Sequence, residues 1–334
     1  MAKAKIGLIG CGLFGESHLQ AYGAVREAEV VALFDIDRAR AEQRARDFGV
    51  PKVCGSLDEI CSLAVDAIDV VTPEDDHLEP VLKALAAGKH VFCEKPLATN
   101  LADCDTMIDA AQGAGRILMP GHLLRFETKY AMVKDELEAG RLGRIVSMHA
   151  RRNRTKALLP MYGRTHPAVE NSIHDIDLML WYTGQPVTKV RGYGRRATGG
   201  KHSDTFFGVI EFEGGALGVV ETIWMIPKAA GIMLNDSFQL VGTEAIADLH
   251  LYPGALSYWR ESGYEAPDLF YDPRVRGGAR GSLRDELAHF CECIVDGKPS
   301  TVLRPEDSRR AVQVALALME SDYSGSDVEI RGWR

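Results

Sequence analysis

The sequence predicts a protein of two α/β domains, and three observations carry this prediction. In the first third of the 334 residues, apolar runs alternate with amphipathic segments. A glycine-rich turn, "GCGLFG" at 10–15, directly follows the first apolar run. Beyond residue 121, longer segments of alternating apolar and polar residues take over. We therefore expect a doubly wound parallel sheet over residues 1–121, followed over 122–334 by an α/β domain with a large, mostly antiparallel, open-faced sheet.

The predicted strands of the first domain are rich in Val and Ile and apolar on both faces, as in a parallel sheet that helices cover on both sides. They span residues 5–10, 30–35, 67–73, 89–95 and 116–121. The segments between them space their apolar residues three to four apart, which is typical of amphipathic helices. These helices span residues 13–26, 37–48, 76–87 and 100–114.

The first strand-to-helix turn carries glycines in the spacing G-x-G-x-x-G. Gly10 permits a tight turn, Gly12 lets the backbone approach a pyrophosphate, and Gly15 lets the helix pack closely on the strand. The phosphate then lies at the positive N-terminus of the helix. Because the turn follows a strand and opens a helix, the sequence predicts a dinucleotide site here.

The choice of dinucleotide depends on Asp35, which ends the second predicted strand. A carboxylate at this position accepts hydrogen bonds from the adenosine ribose and repels a 2′-phosphate. We therefore expect NAD as the cofactor, while Arg38 and Arg40 nearby keep NADP open as an alternative.

The second domain begins with a predicted helix over 125–143 and continues with alternating segments. Alternation with short turns is typical of an antiparallel sheet that has one buried and one open face. An open face needs a cover, so we expect a homodimer or homotetramer that forms through the sheet. The alternating segments span 144–153, 187–197, 205–226 and 236–252, and two closing helices span 282–296 and 304–320.

Between the first two of these strands, the spacing predicts one helix over 166–184. Helical periodicity places Glu170, His174 and Asp177 on one face. A histidine between two carboxylates is oriented and made more basic, as a general base requires. A histidine that helps to cap a helix in a polar patch would have the same local sequence, so this alternative stays open.

The same segment raises the question of a metal. His166, Glu170 and His174 are spaced four apart, as zinc ligands on one helix face would be. Pro167 indicates that the helix begins only there, which takes His166 out of that face. We predict no metal site and leave a zinc ion open as the alternative.

Composition argues against two classes of protein. The formal net charge of −8 is unlike that of a general nucleic-acid binder. No apolar run is long enough to cross a bilayer, and the chain passes from Met1 directly into a strand-like run without a signal sequence. We therefore expect a cytoplasmic protein without a membrane segment that acts on a small molecule.

Six short motifs resemble, in content and in order, those of one enzyme family. They are the glycine loop, "TP" at 72–73 with His77, "EKP" at 94–96, "LLRF" at 123–126, "LGRI" at 142–145 and "IHDID" at 173–177. In these residues the chain resembles the Gfo/Idh/MocA oxidoreductases, the family of glucose-fructose oxidoreductase and inositol dehydrogenase. The resemblance implies a Rossmann domain and a domain for substrate binding and oligomerisation. It also implies NAD(P)-dependent oxidation or reduction of a sugar, cyclitol or related polyol.

The resemblance also implies roles for single residues. Lys95 touches the reacting hydroxyl, and His174 is the acid/base that also contacts the substrate. Glu170 stands where inositol dehydrogenase-like members commonly have Asp, and it joins Asp177 in the implied catalytic set. Cofactor contacts are implied for Leu13, Phe14, Thr72, Pro73, His77, Glu94 and Lys95.

Elementary chemistry agrees with the role implied for Lys95. Ligands of open α/β sheets bind outside the carboxyl ends of the strands, and Lys95 follows such an end. Pro96 disfavours helical continuation at Lys95 and stiffens the turn. Oxidation of an alcohol needs a base for the proton and a cation that faces the developing alkoxide. His174 and Lys95 are the residue types that supply these two functions.

Two other functions stay open. Transient oxidation of a ring carbon would let the same chemistry cleave glycosides by elimination, and a cofactor sensor would regulate a partner without turnover. The presence of both Lys95 and His174 favours a dehydrogenase over the sensor. Arg152 and Arg154, in the basic cluster "RRNRTK" at 151–156, are candidates for binding an anionic group of the substrate.

Overall fold

The computed structural model describes residues 3–333, which form two compact units. The first unit runs up to Glu127 and includes Phe270–Arg309. The second unit takes Thr128–Leu269 and the chain from Arg310 onward. This division differs from the predicted boundary between residues 121 and 122, because a segment far along the chain returns to the first unit. The assignment of the second unit to substrate binding and oligomerisation stays a prediction.

The first unit is built on a six-stranded sheet in which every neighbouring pair is parallel. The strand order is β3-β2-β1-β4-β5-β6, so the order reverses between β1 and β4. This topology confirms the predicted doubly wound sheet. In chain order its elements are β1 Ala4–Ile9, α1 Leu13–Tyr22, β2 Ala28–Phe34, α2 Arg38–Phe48, β3 Lys52–Val53, α3 Leu57–Ser62, β4 Ala67–Val70, α4 Leu78–Ala86, β5 His90–Glu94, α5 Leu101–Ala114 and β6 Leu118–Gly121.

The second unit contains a seven-stranded sheet in the order β12-β11-β7-β10-β9-β8-β17. Only β7 and β10 pair in parallel, and the other neighbours are antiparallel, which confirms a mostly antiparallel sheet. Its elements up to the last long strand are α6 Thr128–Glu138, β7 Ile145–Arg154, α7 Leu159–Tyr162, α8 Pro167–Glu170, α9 Ile173–Thr183, β8 Val187–Arg195, β9 Thr205–Phe212, β10 Leu217–Ile223, β11 Leu234–Gly242 and β12 Ile246–Tyr252. The remaining elements of the chain are β13 Tyr258–Arg260, β14 Gly263–Glu265, β15 Arg274–Val275, β16 Gly278–Ala279, α10 Ser282–Asp296, α11 Pro305–Ser324 and β17 Val328–Glu329. Of these, β15, β16 and α10 belong to the first unit.

Helix α10 belongs to the first unit, although the sequence predicted it as a closing helix of the second domain. Its apolar residues, among them Leu287 and Phe290, join the core that β1 and α1 form. The rings of Phe290 and Phe92 in β5 meet edge to face, with centroids 5.6 Å apart. The Arg125 guanidinium donates to the carbonyl of Val302 at 2.6 Å, which further ties this segment to the first unit. Burial of apolar surface therefore decides where α10 packs.

One face of the seven-stranded sheet is covered closely by α11. A Cβ at Gly192 would lie 2.5 Å from the carbonyl oxygen of Leu318, and a Cβ at Gly208 would lie 2.9 Å from the Leu318 side chain. The Ser321 hydroxyl accepts the Gly192 amide at 2.9 Å. Glycines in β8 and β9 thus let the helix backbone approach the sheet. Along β9 buried residues alternate with partly exposed ones, so the opposite face is the open one, as predicted.

The described residues include no helix with the length and apolarity that a membrane span needs. All seven cysteines are buried thiols. Burial raises the pKa of Cys93 well above its usual range and that of Cys104 to about 12, which keeps both thiols protonated near neutral pH.

Candidate active site

The residues that the sequence assigned to the cofactor lie at the carboxyl ends of four adjacent strands of the first unit. The glycine loop follows β1, Asp35 follows β2, Thr72 follows β4 and Lys95 follows β5. In a doubly wound sheet this edge, beside the reversal of strand order, is where ligands bind. The topology therefore brings these residues to one edge of one sheet.

Two glycines of the loop are required by the protein itself. Gly10 has a φ of +99°, and a Cβ there would lie 2.4 Å from the carbonyl oxygen of Val71. A Cβ at Gly15 would lie 2.0 Å from the carbonyl oxygen of Gly10. No side chain fits at either position, so both glycines serve the turn and the close packing of α1 on β1.

Gly12 is different, because a Cβ there would meet no atom within 4 Å. Its φ of −65° is open to any residue, and it precedes the first turn of α1 without a side-chain cap. The protein fold therefore gives no reason for glycine at this position. The close approach of a ligand phosphate would explain this glycine, since the amides of the first turn of α1 point to the same space. The loop thus fits a dinucleotide pyrophosphate.

Asp35 is buried and tied to the glycine loop. Its carboxylate accepts the backbone amide of Cys11 at 2.7 Å and that of Asp37 at 2.8 Å. Arg40 lies 3.4 Å from the same carboxylate and also pairs with Asp37. These contacts fix the carboxylate at the end of β2 and leave lone pairs for a ribose hydroxyl. With Arg40 paired to two carboxylates, the site carries negative charge where a 2′-phosphate would lie.

Ile36 is a candidate cofactor residue that the sequence analysis missed. It follows Asp35 directly, and 96% of its surface is exposed. A large aliphatic side chain held in the open beside the ribose position offers an apolar surface to a flat base. The signal was present in the sequence as an apolar residue between two aspartates in a turn.

His77 and Glu94 are buried beneath this edge, and their predicted cofactor contacts stay predictions. The His77 ring has Nδ1 3.0 Å from the Pro96 carbonyl and Nε2 3.1 Å from the Thr72 carbonyl. It therefore links the loop after β4 to the loop after β5. Glu94 is also buried, and it accepts the backbone amide of Lys95 at 3.0 Å. Both residues support the site and are not part of its surface.

Leu13, Phe14 and Pro73 have more accessible positions. Leu13 and Pro73 are exposed, and Phe14 is half-buried at the start of α1 with its ring 5.0 Å from that of His18. Their predicted contacts with the cofactor stay predictions.

Lys95 differs from its neighbours in the chain because it is partly exposed. Within residues 91–98 every other residue is buried, and Lys95 alone is partly exposed. The neighbours therefore fix the backbone, while Lys95 is the residue of this segment that reaches the surface at the end of β5. An ammonium held in this way can stabilise negative charge that develops on a substrate oxygen.

His174 has the same distinction in the second unit. From residue 166 to residue 180, His174 is the one residue that is not buried. It lies in the first turn of α9, directly before the fully buried Asp175. The segment thus presents one imidazole, which is the usual general acid or base in proteins.

The predicted single helix over 166–184 is two helices in the structure. Helix α8 ends at Glu170 and α9 begins at Ile173. The break occurs because Asn171 donates to the Arg152 carbonyl at 2.9 Å, and the Ser172 hydroxyl bonds to that of Thr222 at 2.8 Å. These bonds tie the start of α9 to the sheet.

The predicted grouping on one helix face changes accordingly. His174 and Asp177 share α9, and Asp177 is fully buried. Glu170 ends the preceding helix with 8% of its surface exposed. Their expected action on His174 stays a prediction.

Arg152 and Arg154 pair with carboxylates of the protein. The Arg152 guanidinium donates to both Asp175 oxygens, at 2.7 and 2.8 Å, and to Asp236 at 3.2 Å. Arg154 pairs with the other oxygen of Asp236. Both are buried, and their charges balance protein carboxylates. Their predicted contact with an anionic substrate stays a prediction.

Burial and the pairing with Arg152 act in opposite directions on the pKa of Asp175. Burial raises the pKa of this carboxyl, and the opposing Arg152 cation lowers it, with burial the larger effect. The bidentate contact fixes the residue next to His174 in position. The Arg152–Asp175 pair thereby anchors the turn that carries the imidazole.

His166 is engaged away from any metal. Its Nδ1 accepts the Ala168 amide at 3.1 Å, which caps α8, and its Nε2 lies 3.1 Å from Asp322. Both nitrogens are therefore used within the protein. Across residues 3–333 the structure groups no three His, Cys, Asp or Glu side chains as metal ligands would be grouped.

The fold and this edge define a dinucleotide-binding oxidoreductase, and comparison with known proteins gives the family. Residues 4–122 match the model of an oxidoreductase family with an NAD-binding Rossmann fold, Gfo/Idh/MocA, and residues 130–248 match the Gfo/Idh/MocA C-terminal domain. The chain belongs to the Gfo/Idh/MocA oxidoreductase family. It is an NAD-binding oxidoreductase, as the motifs predicted.

Individual relatives cover nearly the whole chain. Inositol 2-dehydrogenase 2 of Saccharopolyspora erythraea is 32% identical over 97% of this chain and 95% of its own length. Myo-inositol 2-dehydrogenase of Thermotoga maritima is 33% identical over 95% of this chain and 96% of its own. Among solved structures, a probable dehydrogenase from Thermotoga maritima superposes with a TM-score of 0.84 at 25% identity, covering 97% of this chain and 98% of that one.

The geometry of the glycine loop yields a direct test. Gly12→Val places a branched side chain into space that the fold leaves empty, so the protein should stay folded and lose NADH binding by about 100-fold or more, the scale of several lost hydrogen bonds to charged phosphate. Fluorescence titration with NADH measures the affinity, and thermal unfolding reports the fold.

Gly15→Ala is the matched control, because its Cβ clashes with the Gly10 carbonyl and should lower the unfolding temperature. Unchanged NADH affinity in a folded Gly12→Val protein would contradict the phosphate site.

Proposed function

We propose that this protein transfers a hydride between NAD and a hydroxyl or carbonyl carbon of a cyclitol, sugar or sugar derivative. The observation that carries the proposal is the selective presentation of Lys95, the one partly exposed residue of 91–98, at the ligand-binding edge of an NAD-binding sheet. The names of the relatives, inositol 2-dehydrogenase and myo-inositol 2-dehydrogenase, favour cyclitols within this class.

The proposed chemistry divides between two side chains. Bound NAD supplies the acceptor for the hydride. Lys95 holds an ammonium near the substrate oxygen and stabilises the negative charge that develops there. His174 accepts the hydroxyl proton during oxidation and returns it during reduction.

The surroundings of His174 support its proposed role. Asp175, fixed by Arg152, and Ser172, fixed by Thr222, hold the first turn of α9 against the sheet. A general base needs this kind of fixed orientation, since small displacements slow proton transfer. We include Glu170 and Asp177 in the proposal as carboxylates that orient the imidazole.

A substrate panel tests the proposed reaction. The protein with NAD is offered myo-inositol, scyllo-inositol, glucose and other polyols, and NADH is followed by its absorbance. NADH formation with a polyol supports the dehydrogenase. Release of the aglycone from an aryl glycoside with catalytic NAD and no net NADH would indicate the glycosidase instead. Turnover of no polyol or glycoside, with NADH still bound, would favour the cofactor sensor.

The two proposed catalytic residues give a prediction about the rate. Lys95→Met keeps the apolar stem but removes the cation, so kcat should fall by about 100-fold or more, the loss typical of one preorganised electrostatic contact. His174→Ala should lose a similar factor and flatten the acid limb of the pH–rate profile, because the group that protonation blocks is gone. Steady-state kinetics with the best polyol of the panel and NADH titration measure both.

Two matched variants control for general damage. Lys89 flanks the other end of β5 and donates to the carbonyls of Leu63 and Val65, so Lys89→Met should affect stability and leave kcat unchanged. His250 is an exposed histidine of the second unit, and His250→Ala should be neutral. Near-wild-type kcat in Lys95→Met, with a deuterated substrate showing that hydride transfer limits the rate, argues against the proposed role of Lys95.

The preference for NAD over NADP is part of the proposal and rests on Asp35. Asp35→Ser with Ile36→Arg removes the carboxylate and adds a cation at an exposed position, so the ratio of kcat/KM for NADP to that for NAD should rise by about tenfold or more. Parallel assays with the two cofactors measure the ratio. Asp37→Ser serves as the control, and an unchanged ratio in the double variant would exclude Asp35 as the discriminating contact.

We also propose that the open face of the second unit joins copies of this chain. On this face Tyr193 of β8 pairs in register with Phe207 of β9, and both are substantially exposed together with Leu217. Exposed large apolar side chains on one face of a sheet favour an interface with another chain. Light scattering should give a dimer or tetramer, and Phe207→Arg should shift it toward the monomer. A monomer in the wild-type protein would refute this part.

A further inference from the structure

A fully buried histidine in the first unit takes no part in the roles described so far. His18 lies in α1, just after the glycine loop, with none of its surface exposed. Its Nδ1 is 2.8 Å from Oδ2 of Asp69 in β4, and its Nε2 is 3.3 Å from Oε1 of Glu94 in β5. The imidazole therefore lies between two carboxylates that belong to different strands.

The contacts continue to Lys95. While Oε1 of Glu94 faces His18, Oε2 accepts the backbone amide of Lys95 at 3.0 Å. The neighbouring strand leaves room for this carboxylate, since a Cβ at Gly121 would lie 2.6 Å from Oε1. A chain of polar contacts thus runs from Asp69 through His18 and Glu94 to the backbone of Lys95.

The ring must be charged for these contacts to be favourable. A neutral imidazole would turn a lone pair toward one of two buried carboxylates, whereas an imidazolium donates from Nδ1 to Asp69 and places positive charge 3.3 Å from Glu94, a contact that is an ion pair without a hydrogen bond. Burial alone would lower the pKa of His18, but Asp69 and then Glu94 outweigh it and raise the pKa to about 10. The rings of Phe14 and Phe92 meet His18 edge-on and exclude water from it.

Other ionisable groups around the cluster do not replace this cation. Tyr22 of α1 faces Asp69, and burial followed by Asp69 raises its pKa well above the usual range. Burial raises the pKa of Cys291 in α10 to about 12, so this thiol, like Cys93 in β5, is neutral near pH 7. Glu286 of α10 adds a further carboxyl group near Tyr22. Among the described contacts, His18 is the cation that lies next to Asp69 and Glu94.

We propose that His18 is a positioning residue for Lys95: its imidazolium holds Glu94 in the one orientation that fixes the Lys95 amide and so aims the catalytic ammonium. Because His18 belongs to the helix that the glycine loop opens, the same ring also joins the phosphate-binding turn to the lysine turn. This inference rests on the role proposed above for Lys95. It assigns to His18 no contact with substrate or cofactor.

The kinetic test is His18→Gln, which can donate to one carboxylate but carries no charge. kcat with the best polyol of the panel should fall by about 10- to 100-fold, because a displacement of a catalytic group by about 1 Å can slow the reaction by about this factor. The NADH dissociation constant should stay within about threefold of the wild type, because the loop amides are unchanged. Glu94→Gln should give the same pattern, and it replaces His18→Gln if that variant does not fold.

The matched control is His90→Gln. His90 begins β5, at the end opposite Glu94, and its Nδ1 accepts the Ile117 amide at 3.0 Å. Its loss should cost stability and leave kcat unchanged. A comparable fall in kcat in His90→Gln would overturn the proposal, because general loosening of β5 would then account for the effect.

Two measurements without substrate test the charge. Nitrogen-15 NMR of labelled histidine at pH 8 should show one ring protonated at both nitrogens, and its signal should be missing in His18→Gln. Because the folded pKa lies above the unfolded value of 6.5, the stability from His18 is complete below that pH and is lost as the pH rises through about 10. The gap in unfolding temperature between wild type and His18→Gln should therefore narrow from pH 6 to pH 10.

The outcomes separate this inference from the proposed function. Wild-type kcat in His18→Gln or Glu94→Gln, with Lys95→Met inactive, would overturn the positioning role alone. A neutral His18 ring at pH 8 would overturn it as well. An active Lys95→Met would remove the catalytic role of Lys95, and the positioning role with it.

Discussion

The close approach of α1 to β1 is the constraint on which the first unit depends. The helix can begin where it does only because Gly15 brings no side chain against the Gly10 carbonyl. This contact turns the first amides of α1 toward open space beside Gly12, and it also carries His18 down into the sheet. The open space for a phosphate and the buried His18 beneath this edge of the sheet are thus two consequences of one backbone contact.

Each unit presents its proposed catalytic group by burying the residues around it. In residues 91–98 and in residues 166–180 the chain leaves a single side chain partly exposed, Lys95 in the first case and His174 in the second. Burial of the neighbours fixes the backbone to within the tolerance that proton transfer and charge stabilisation require. A lysine or histidine on an exposed loop would keep its chemistry but lose this orientation.

The sequence was sufficient for features that depend on local pattern. Apolar runs and glycine spacing gave the parallel sheet, the loop after β1 and the position of Asp35, and the ordered motifs gave the family. Features that depend on distant contacts were beyond it. The return of α10 to the core of the first unit requires Phe290 to meet Phe92, about 200 residues earlier, and nothing in the helix itself indicates which core it joins.

Several contacts at the site depend on partners that the sequence does not reveal. Arg152 pairs with Asp175 and Asp236, and the segment 166–184 divides into two helices where Ser172 bonds to Thr222. His77 and Glu94 carried the motif but lie beneath the surface that the motif forms. Arg152, His77 and Glu94 each hold another part of the chain in place: Asp175, the Pro96 carbonyl and the Lys95 amide.

This use of buried charge explains why polar groups are retained where apolar ones would stabilise the fold at least as well. A buried ion pair contributes little net stability, because desolvation opposes the attraction between its partners. What it provides is a fixed orientation of both side chains. If either one turns away, the attraction between them is lost and an unpaired charge remains buried. Asp69, His18 and Glu94 provide direction to the backbone of Lys95, and Arg152 with Asp175 provides it to the turn of His174. We therefore infer that interior charges help to orient Lys95 within residues 91–98 and His174 within residues 166–180.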